Sequence, residues 1–171
     1  VAALLFAAVN AQPEGVVVPL ADWIAVGEMR AAWALQVDSL SVTMALIVSG
    51  VGGLIHVYAI GYMHGDARFT RFFVYMNLFL AAMLVLVTAD TFLMMFAGWE
   101  GVGLCSFLLI GFWFDKPAGE GWRNSSAARK AFVANRIGDF GMILAIGLLF
   151  WATGSLRFAE IFEQAETVFV S

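Results

Sequence analysis

Three long apolar stretches constrain this chain more than any other feature of its sequence. They run from Ser39 to Gly61, from Phe72 to Ala89 and from Phe92 to Phe114, and a fourth follows from about Ala127 to Trp151. A helix needs about 20 mostly apolar residues to cross a bilayer. Of the 171 residues 62% are apolar and 13% are charged, which leaves too few charges to cover a water-soluble globule. The sequence therefore predicts an all-α integral membrane protein, a polytopic bundle of transmembrane helices.

The remaining segments are assigned from their composition. Asp38 is the predicted N-cap of the first complete helix, because its carboxylate can accept the free amide hydrogens of the first turn. The abrupt start and end of the chain are typical of a fragment. The predicted segments are the end of a preceding transmembrane helix at 1–9, an extended, water-exposed connector at 10–37, transmembrane helices at 38–61, 72–89, 91–114 and 127–152, loops at 62–71 and 115–126, and an amphipathic segment at 154–171.

The distribution of positive charge predicts how the helices are oriented. Lys and Arg are retained preferentially on the cytoplasmic side of a membrane. The connector and the other segments on its side of the membrane have only Arg30 and Arg157, together with most of the carboxylates. The loops at 62–71 and 115–126 are therefore predicted to be cytoplasmic, and the connector at 10–37 periplasmic. Six cations lie in or beside those two loops: Arg68, Arg71, Lys116, Arg123, Arg129 and Lys130.

Charge and cysteine content exclude several classes of function. A net charge of −4 provides no basic surface for nucleic acid. Cys105 is the single cysteine, which excludes a disulfide framework and a multi-cysteine metal or iron–sulfur site within this chain. The glycines around residue 100 do not form a phosphate-binding loop, because no strand precedes them and no Lys-Ser follows. No metal or cofactor site is predicted.

Three ionisable residues fall inside the predicted helices and are the candidate functional residues. Glu100 lies ~21 Å from the predicted cytoplasmic end of its helix at Phe114, and Asp139 lies ~18 Å from the predicted cytoplasmic end of the next helix at Ala127, at 1.5 Å per residue. The two carboxylates are thus nearly level, close to the middle of the membrane. Arg136 is three residues before Asp139 and shares its helix face, so the two can form an ion pair. Such groups cost about 2.5–3.5 kcal/mol each in a bilayer and need a partner.

Functional and structural interpretations both fit these charges. Glu100 is either a hydrogen-bonded structural group or a proton-binding site tuned by a movable counter-charge, and the proton-binding interpretation is favoured. Arg136 and Asp139 form either a static packing pair or part of the proton path. His56, in the first helix, is either a proton relay or a histidine satisfied by an interhelical hydrogen bond.

Several strings in the chain resemble a known family. Residues 98–112, Gly-Trp-Glu-Gly-Val-Gly-Leu-Cys-Ser-Phe-Leu-Leu-Ile-Gly-Phe, resemble the signature helix of the largest antiporter-like subunit of respiratory complex I, called L in bacteria and 5 in mitochondria. Further matching strings are Val-Asp-Ser-Leu-Ser at 37–41, His-Val-Tyr at 56–58, Lys-Ala-Phe at 130–132 and Arg-Ile-Gly-Asp at 136–139. The resemblance runs from about Ala34 to the end of the chain, in the family's order.

The resemblance implies a proton-translocating membrane-arm subunit of NADH:quinone oxidoreductase with an antiporter-like inverted-repeat fold. In that family the glutamate matching Glu100 pairs with a lysine on a later helix, which would lie beyond Ser171, and the residues matching Asp139 and Arg136 form a neighbouring ion pair important for coupling. FMN, iron–sulfur clusters and quinone would belong to other subunits. The implied partners are the other membrane-arm and peripheral subunits and the lipid bilayer, and the implied location is a bacterial or mitochondrial inner membrane.

Two alternatives remain open from the sequence. The large subunit of a Mrp-type sodium/proton antiporter resembles this family and also carries a tryptophan–glutamate helix. A structural membrane scaffold would use the same buried charges only to specify helix packing.

Overall fold

The computed structural model describes residues 15–27 and 29–169, so the predicted end of an earlier helix at 1–9 lies outside the described residues. Two antiparallel strands come first, and helices form the rest of the described chain. The strands are β1 (Val16–Val26) and β2 (Met29–Val37), and the helices are α1 (Ser39–Tyr62), α2 (Phe69–Val87), α3 (Phe92–Ile110), α4 (Glu120–Thr153) and α5 (Phe158–Phe169).

The described part of the predicted connector at 10–37 is a β-hairpin. Its register runs from Val16 opposite Val37 to Val26 opposite Met29, and it shifts after Pro19, which has no amide hydrogen to donate to the partner strand. The prediction of a simple extended connector missed this pairing, because prolines and acidic residues interrupt the valine-rich strand pattern. The hairpin is attached to the bundle by the Gln36 amide, which donates to the Thr88 carbonyl at 2.8 Å.

Asp38 caps α1 as the sequence predicts. Its Oδ1 accepts the Ser41 amide at 2.7 Å, and the Ser41 hydroxyl accepts the Asp38 amide at 2.8 Å. This reciprocal capping box satisfies two amide hydrogens at the start of α1. Burial alone would raise the pKa of Asp38, but the hydrogen bonds from Ser41 and Gln36 outweigh it and hold the pKa below its usual value.

The helices begin and end at different residues from those predicted. α2 begins at Phe69 rather than at residue 72, α3 ends at Ile110 rather than at residue 114, and α4 begins at Glu120 rather than at residue 127. The segment predicted as a loop at 115–126 is therefore half helical. Gly119 makes this early start possible, because it precedes the first turn of α4 with a φ of 77°, a conformation that favours glycine.

Small residues bring consecutive helices close together. A methyl group on Gly98 of α3 would lie 2.6 Å from the backbone nitrogen of Leu86 on α2, and one on Gly52 of α1 would lie 2.7 Å from the Leu80 side chain on α2. Gly111, at the end of α3, lies in the same way against Ala128 of α4. Close backbone approach at small residues is the usual way in which membrane helices pack.

The helices form a bundle with two chemically different ends. One end, here called the hairpin end, contains the β-hairpin, the starts of α1 and α3, the ends of α2 and α4, and the start of α5. The opposite end, here called the basic end, contains the ends of α1 and α3 and the starts of α2 and α4, and all six cations of the two predicted cytoplasmic loops lie there.

Four helices within the described residues, α1 to α4, are long and apolar enough to cross a membrane. α4 has 34 residues and is therefore about 50 Å long at 1.5 Å per residue. The hydrocarbon core of a bilayer is only about 30 Å thick. A bilayer around this bundle would therefore leave part of α4 outside the apolar layer, and its first turns carry the cations of the basic end.

Candidate functional site in the middle of the bundle

Arg136 joins the two predicted carboxylates into one cluster. Its Nη1 forms an ion pair with Glu100 Oε2 on the neighbouring helix, and the same atom lies 3.3 Å from Asp139 Oδ2 on its own helix. Glu100 is near the midpoint of α3, and Arg136 and Asp139 are in the middle part of α4. The structure thus brings together three residues that the sequence placed at one depth, and it adds the Glu100–Arg136 contact.

Asp139 is the most buried member of the cluster, with 7% of its side chain exposed. Its second carboxylate oxygen, Oδ1, accepts a hydrogen bond of 2.8 Å from the indole Nε1 of Trp99. Sequence reasoning missed this contact because Trp99 is an aromatic residue in an apolar stretch. Its position next to Glu100 was the available signal, since a buried indole N–H usually finds a polar partner.

The surroundings of Arg136 leave its guanidinium partly open. The centroid of the Phe132 ring lies 4.4 Å from the guanidinium carbon. Because Gly103 has no side chain, there is space beside Nη2. Nε of Arg136 is buried and has no hydrogen-bond partner among the described residues. Glu100 and Arg136 keep 27% and 32% of their side chains exposed in a shallow groove between α3 and α4. Its ion-pair partners among the described residues are the side chains of Glu100 and Asp139.

The structure does not place His56 in this cluster. His56 lies on α1, where its Nδ1 is 2.7 Å from the Gly52 carbonyl oxygen and its ring packs near Phe73 of α2. Because a carbonyl only accepts, Nδ1 must carry the hydrogen. Nε2 is buried and has no hydrogen-bond partner in the described part of the chain.

A second arginine bridges two carboxylates at the hairpin end. Arg157 contacts Asp90 Oδ2 at 3.2 Å and Glu160 Oε1 at 3.1 Å. Backbone hydrogen bonds join the same segments: the Phe92 amide donates to the Leu156 carbonyl, and the Phe158 amide donates to the Asp90 carbonyl. Burial would lower the pKa of Arg157, but the charges and hydrogen bonds of Asp90 and Glu160 together outweigh it, and the pKa is raised. This cluster fastens the start of α5 to the start of α3.

The loops of the basic end are joined by Asp66. Its Oδ2 accepts the indole N–H of Trp113 at 2.9 Å, and its Oδ1 accepts the Arg68 amide at 2.8 Å. These hydrogen bonds, that from Trp113 above all, hold the pKa of Asp66 below its usual value. Arg68 also forms an ion pair of 2.9 Å with Asp115. The α1–α2 and α3–α4 loops therefore form one connected surface.

Two family models match consecutive parts of the chain. The model described as "NADH-Ubiquinone oxidoreductase (complex I), chain 5 N-terminus" matches residues 23–73, and the model described as "NADH:quinone oxidoreductase/Mrp antiporter, TM" matches residues 89–171. Between them they include α1 and the whole cluster around Arg136. The chain belongs to the subunit L (chain 5) family of NADH:quinone oxidoreductase.

Curated relatives in this family are similar over most of the chain. NADH-quinone oxidoreductase subunit L of Mycobacterium tuberculosis is 49% identical over 140 residues, which are 82% of this chain and 21% of that protein. Subunit L of Escherichia coli is 48% identical over 151 residues, which are 88% of this chain and 24% of that protein. The chain thus spans less than a quarter of the length of these subunit L relatives.

Solved structures show the same antiporter-like membrane fold. The Mrp complex from Dietzia sp. matches with a TM-score of 0.68 and 28% identity, over 94% of this chain and 17% of that chain. The membrane-bound sulfane sulfur reductase, an archaeal respiratory membrane complex, matches with a TM-score of 0.61 and 27% identity, over 97% of this chain and 26% of that chain. With its membrane-length helices, this subunit L family chain is an integral membrane protein of a bacterial or mitochondrial inner membrane.

Proposed function

We propose that this chain is part of a proton-translocating membrane-arm subunit of NADH:quinone oxidoreductase. In this proposal Glu100, Arg136 and Asp139 carry the proton path, and quinone reduction elsewhere in the complex drives it. The observation that carries the proposal is the position of Arg136, which touches a carboxylate on each of two neighbouring helices near the middle of the bundle. Three ionisable side chains at that depth are costly for a membrane protein, and such groups usually mark ion pathways.

Arg136 carries a permanent positive charge. A guanidinium cannot release its proton in a protein, so Arg136 acts as a counter-charge and not as a proton carrier. While it contacts Glu100, it favours the carboxylate form of Glu100. When it moves toward Asp139 alone, Glu100 loses its counter-charge in a region of low dielectric constant and favours the protonated form. A shift of Arg136 between the two carboxylates would therefore load and unload a proton at Glu100.

The contact with Trp99 fits this division of roles. The indole N–H donates a hydrogen bond to Asp139 and fixes the position of this carboxylate, 3.3 Å from Arg136. Glu100 receives no such hydrogen bond within the described residues, and Arg136 is its only ion-pair partner there. We infer that Glu100 is the proton-binding member and that Arg136 and Asp139 control its charge. His56 remains a prediction as a relay, supported by its Nε2, which has no hydrogen-bond partner among the described residues.

The proposal assigns the redox chemistry and the partners to the rest of the complex. FMN, iron–sulfur clusters and quinone would lie in other subunits, and this chain would contact other membrane-arm and peripheral subunits and the lipid bilayer. We also propose that the basic end faces the cytoplasm, or the matrix of a mitochondrion, since Lys and Arg concentrate on that side. The chain would then contribute to NADH:quinone oxidoreductase as a translocating subunit without a redox site of its own.

The test replaces Glu100 by glutamine in the full-length protein within its assembled complex. We expect Glu100→Gln to abolish or strongly reduce the number of protons moved per electron, because glutamine cannot bind the proton. The matched control is Glu120→Gln, which removes a carboxylate of the basic end that pairs with Lys116 and should leave the ratio unchanged. An unchanged ratio in Glu100→Gln complexes that assemble normally would contradict the proposal and favour a scaffold role.

A second candidate is sodium/proton exchange as the large subunit of a Mrp-type antiporter. The similarity to the Dietzia Mrp complex favours it, but the identity of 28% is lower than the 48–49% shared with subunit L proteins. The two functions are distinguished in everted membrane vesicles. Acidification that depends on sodium and not on NADH oxidation would support the antiporter, whereas acidification driven by NADH would support the complex I subunit.

A further inference from the structure

We propose that the basic end binds an anionic phospholipid in a pocket between α2, α3 and α4. The pocket has a volume of about 220 Å³. Arg71 lies in the first turn of α2 and Ser125 in the second turn of α4, and the remaining wall is mostly apolar and aromatic. The wall includes Tyr75, Phe107, Gly111, Phe112 and Ala128.

Arg71 supplies an uncompensated positive charge. The neighbouring cation Arg68 is occupied by Asp115 at 2.9 Å, and Lys116 is occupied by Glu120 at 3.4 Å. Within the described ranges Arg71 has no ion pair, and the Ser125 hydroxyl has no hydrogen bond. The pocket therefore offers a guanidinium and a hydroxyl, both of which are good partners for a phosphate oxygen.

The whole basic end attracts anions beyond this one contact. Six cationic side chains lie there, against the three carboxylates of Asp66, Asp115 and Glu120. Arg123, Arg129 and Lys130, like Arg71, have no ion pair among the described residues. An excess of positive charge beside the apolar layer favours anionic over zwitterionic lipids.

The shape of the pocket favours a lipid over a soluble phosphate compound. From Arg71 it extends inward past Tyr75, one turn further along α2, and past Phe107, one turn before Gly111 on α3. Its volume is below the roughly 300–1,000 Å³ of a site that encloses a whole small molecule. It fits a segment of one acyl chain against aromatic rings, with the phosphate held at Arg71. Gly111 and Ala128, which approach each other closely, line the pocket on the side of α4.

The experiment uses phosphatidylglycerol that carries a photoreactive group in its acyl chain, added to the full-length protein in its purified complex. We expect labelling of the peptide that contains Phe107 and Phe112. Arg71→Gln should reduce this labelling about fivefold, the usual effect of one cation near the headgroups, and Arg71→Lys should largely retain it. The matched control is Arg123→Gln, which removes a cation of the same end that does not line the pocket, so it should reduce the labelling less than Arg71→Gln does.

Three results would overturn the proposal. The first is equal labelling of Arg71→Gln and Arg123→Gln. The second is equal labelling by a phosphatidylcholine probe with the same photoreactive chain, which would show that charge is not recognised. The third is complete competition by inorganic phosphate, which would identify the pocket as a site for a soluble anion.

Discussion

Two arginines in this chain make nearly the same contacts in different surroundings. Arg136 bridges Glu100 on the neighbouring helix and Asp139, which follows the arginine by three residues. Arg157 bridges Asp90 and Glu160, and Glu160 likewise follows its arginine by three residues. The first cluster is in the middle of the bundle and the second is at the hairpin end. Their chemistry is the same, so the difference in role must come from depth and from the other bonds around them.

The cluster around Arg157 is reinforced by the backbone, and the cluster around Arg136 is not. Phe92 and Phe158 form backbone hydrogen bonds across the Arg157 cluster, and the Ser155 hydroxyl donates to Glu160 at 2.5 Å. These bonds fix the start of α5. Around Arg136 only side chains connect α3 to α4, and Nε of the arginine lacks a partner within the described residues. We infer that the first arrangement fastens two segments, whereas the second allows an arginine to shift.

The largest expected effect is that of Arg136→Ala. Without the guanidinium, Glu100 and Asp139 lose their shared cation, and unpairing a buried ion typically costs about 3–5 kcal/mol. Because Glu100 and Arg136 are partly exposed in this chain, we expect the free energy of unfolding to fall by an amount near the lower figure. Thermal unfolding of the purified full-length protein and the yield of assembled complex measure it. Arg129→Ala, on the same helix but without an ion pair among the described residues, is the control, and equal stability of the two variants would contradict the account.

Asp90→Asn should have a smaller effect, confined to the hairpin end. Asp90 is 3% exposed, but Arg157 is 43% exposed and already solvated in part, so we expect a loss of about 1.5 kcal/mol, the lower range for a charged hydrogen bond. Hydrogen exchange at the Phe92 and Phe158 amides should become faster, while the number of protons moved per electron should not change. Glu163→Gln, at an exposed residue of α5, is the control. A changed number of protons per electron would show that this cluster does more than hold the start of α5 against the start of α3.

Trp99→Phe should weaken the middle cluster without dismantling it. It removes the hydrogen bond to Asp139. We expect the free energy of unfolding to fall by about 1 kcal/mol, because the indole is half exposed. Proton transport should fall only in part, since Arg136 still pairs with Asp139. The control is Trp151→Phe, at a residue that is 84% exposed. If both tryptophan variants behave identically, the Trp99 contact does not position Asp139.

The smallest expected effect is a pH dependence at the basic end. The pKa of Asp66 lies below its ordinary value of 3.8, so its contribution to stability is present above pH 3.8 and is lost only as the pH falls through the lowered value. The loop contact should therefore be unchanged between pH 8 and pH 4. Infrared spectra can follow the Asp66 carboxylate, whose band is identified by its loss in Asp66→Asn. In Trp113→Phe the titration of Asp66 should shift upward, toward pH 3.8. A titration that does not respond to Trp113→Phe would contradict the assigned cause.

The candidate site was predictable because charges inside apolar stretches are costly and therefore visible. The depth estimate for Glu100 and Asp139 and the spacing of Arg136 and Asp139 were enough to place the three residues at one depth. The direct contact between Glu100 and Arg136 was not predictable, since it depends on how α3 and α4 are rotated about their axes. Trp99 was missed because an indole adds to hydropathy in the same way whether or not its N–H has a partner.

The helices of the fold were predictable, but their ends and the hairpin were not. Apolar length identifies a membrane helix, and the Asp38 cap identifies the start of α1. The early start of α4 depends on the left-handed conformation of Gly119, which composition alone does not reveal. The hairpin was missed because Pro19 and Asp22 disturb the strand pattern, and pairing with β2 compensates for both.

The most direct test of the central claim compares the equivalent carboxylates of the two clusters. Asp139→Asn and Glu160→Gln each remove the carboxylate charge three residues after the bridging arginine, and each is made in the full-length protein in its assembled complex. The measurement is the number of protons moved per electron during NADH oxidation in membrane vesicles. We predict a clear fall in that ratio for Asp139→Asn and an unchanged ratio for Glu160→Gln. Equal ratios in the two variants would contradict it.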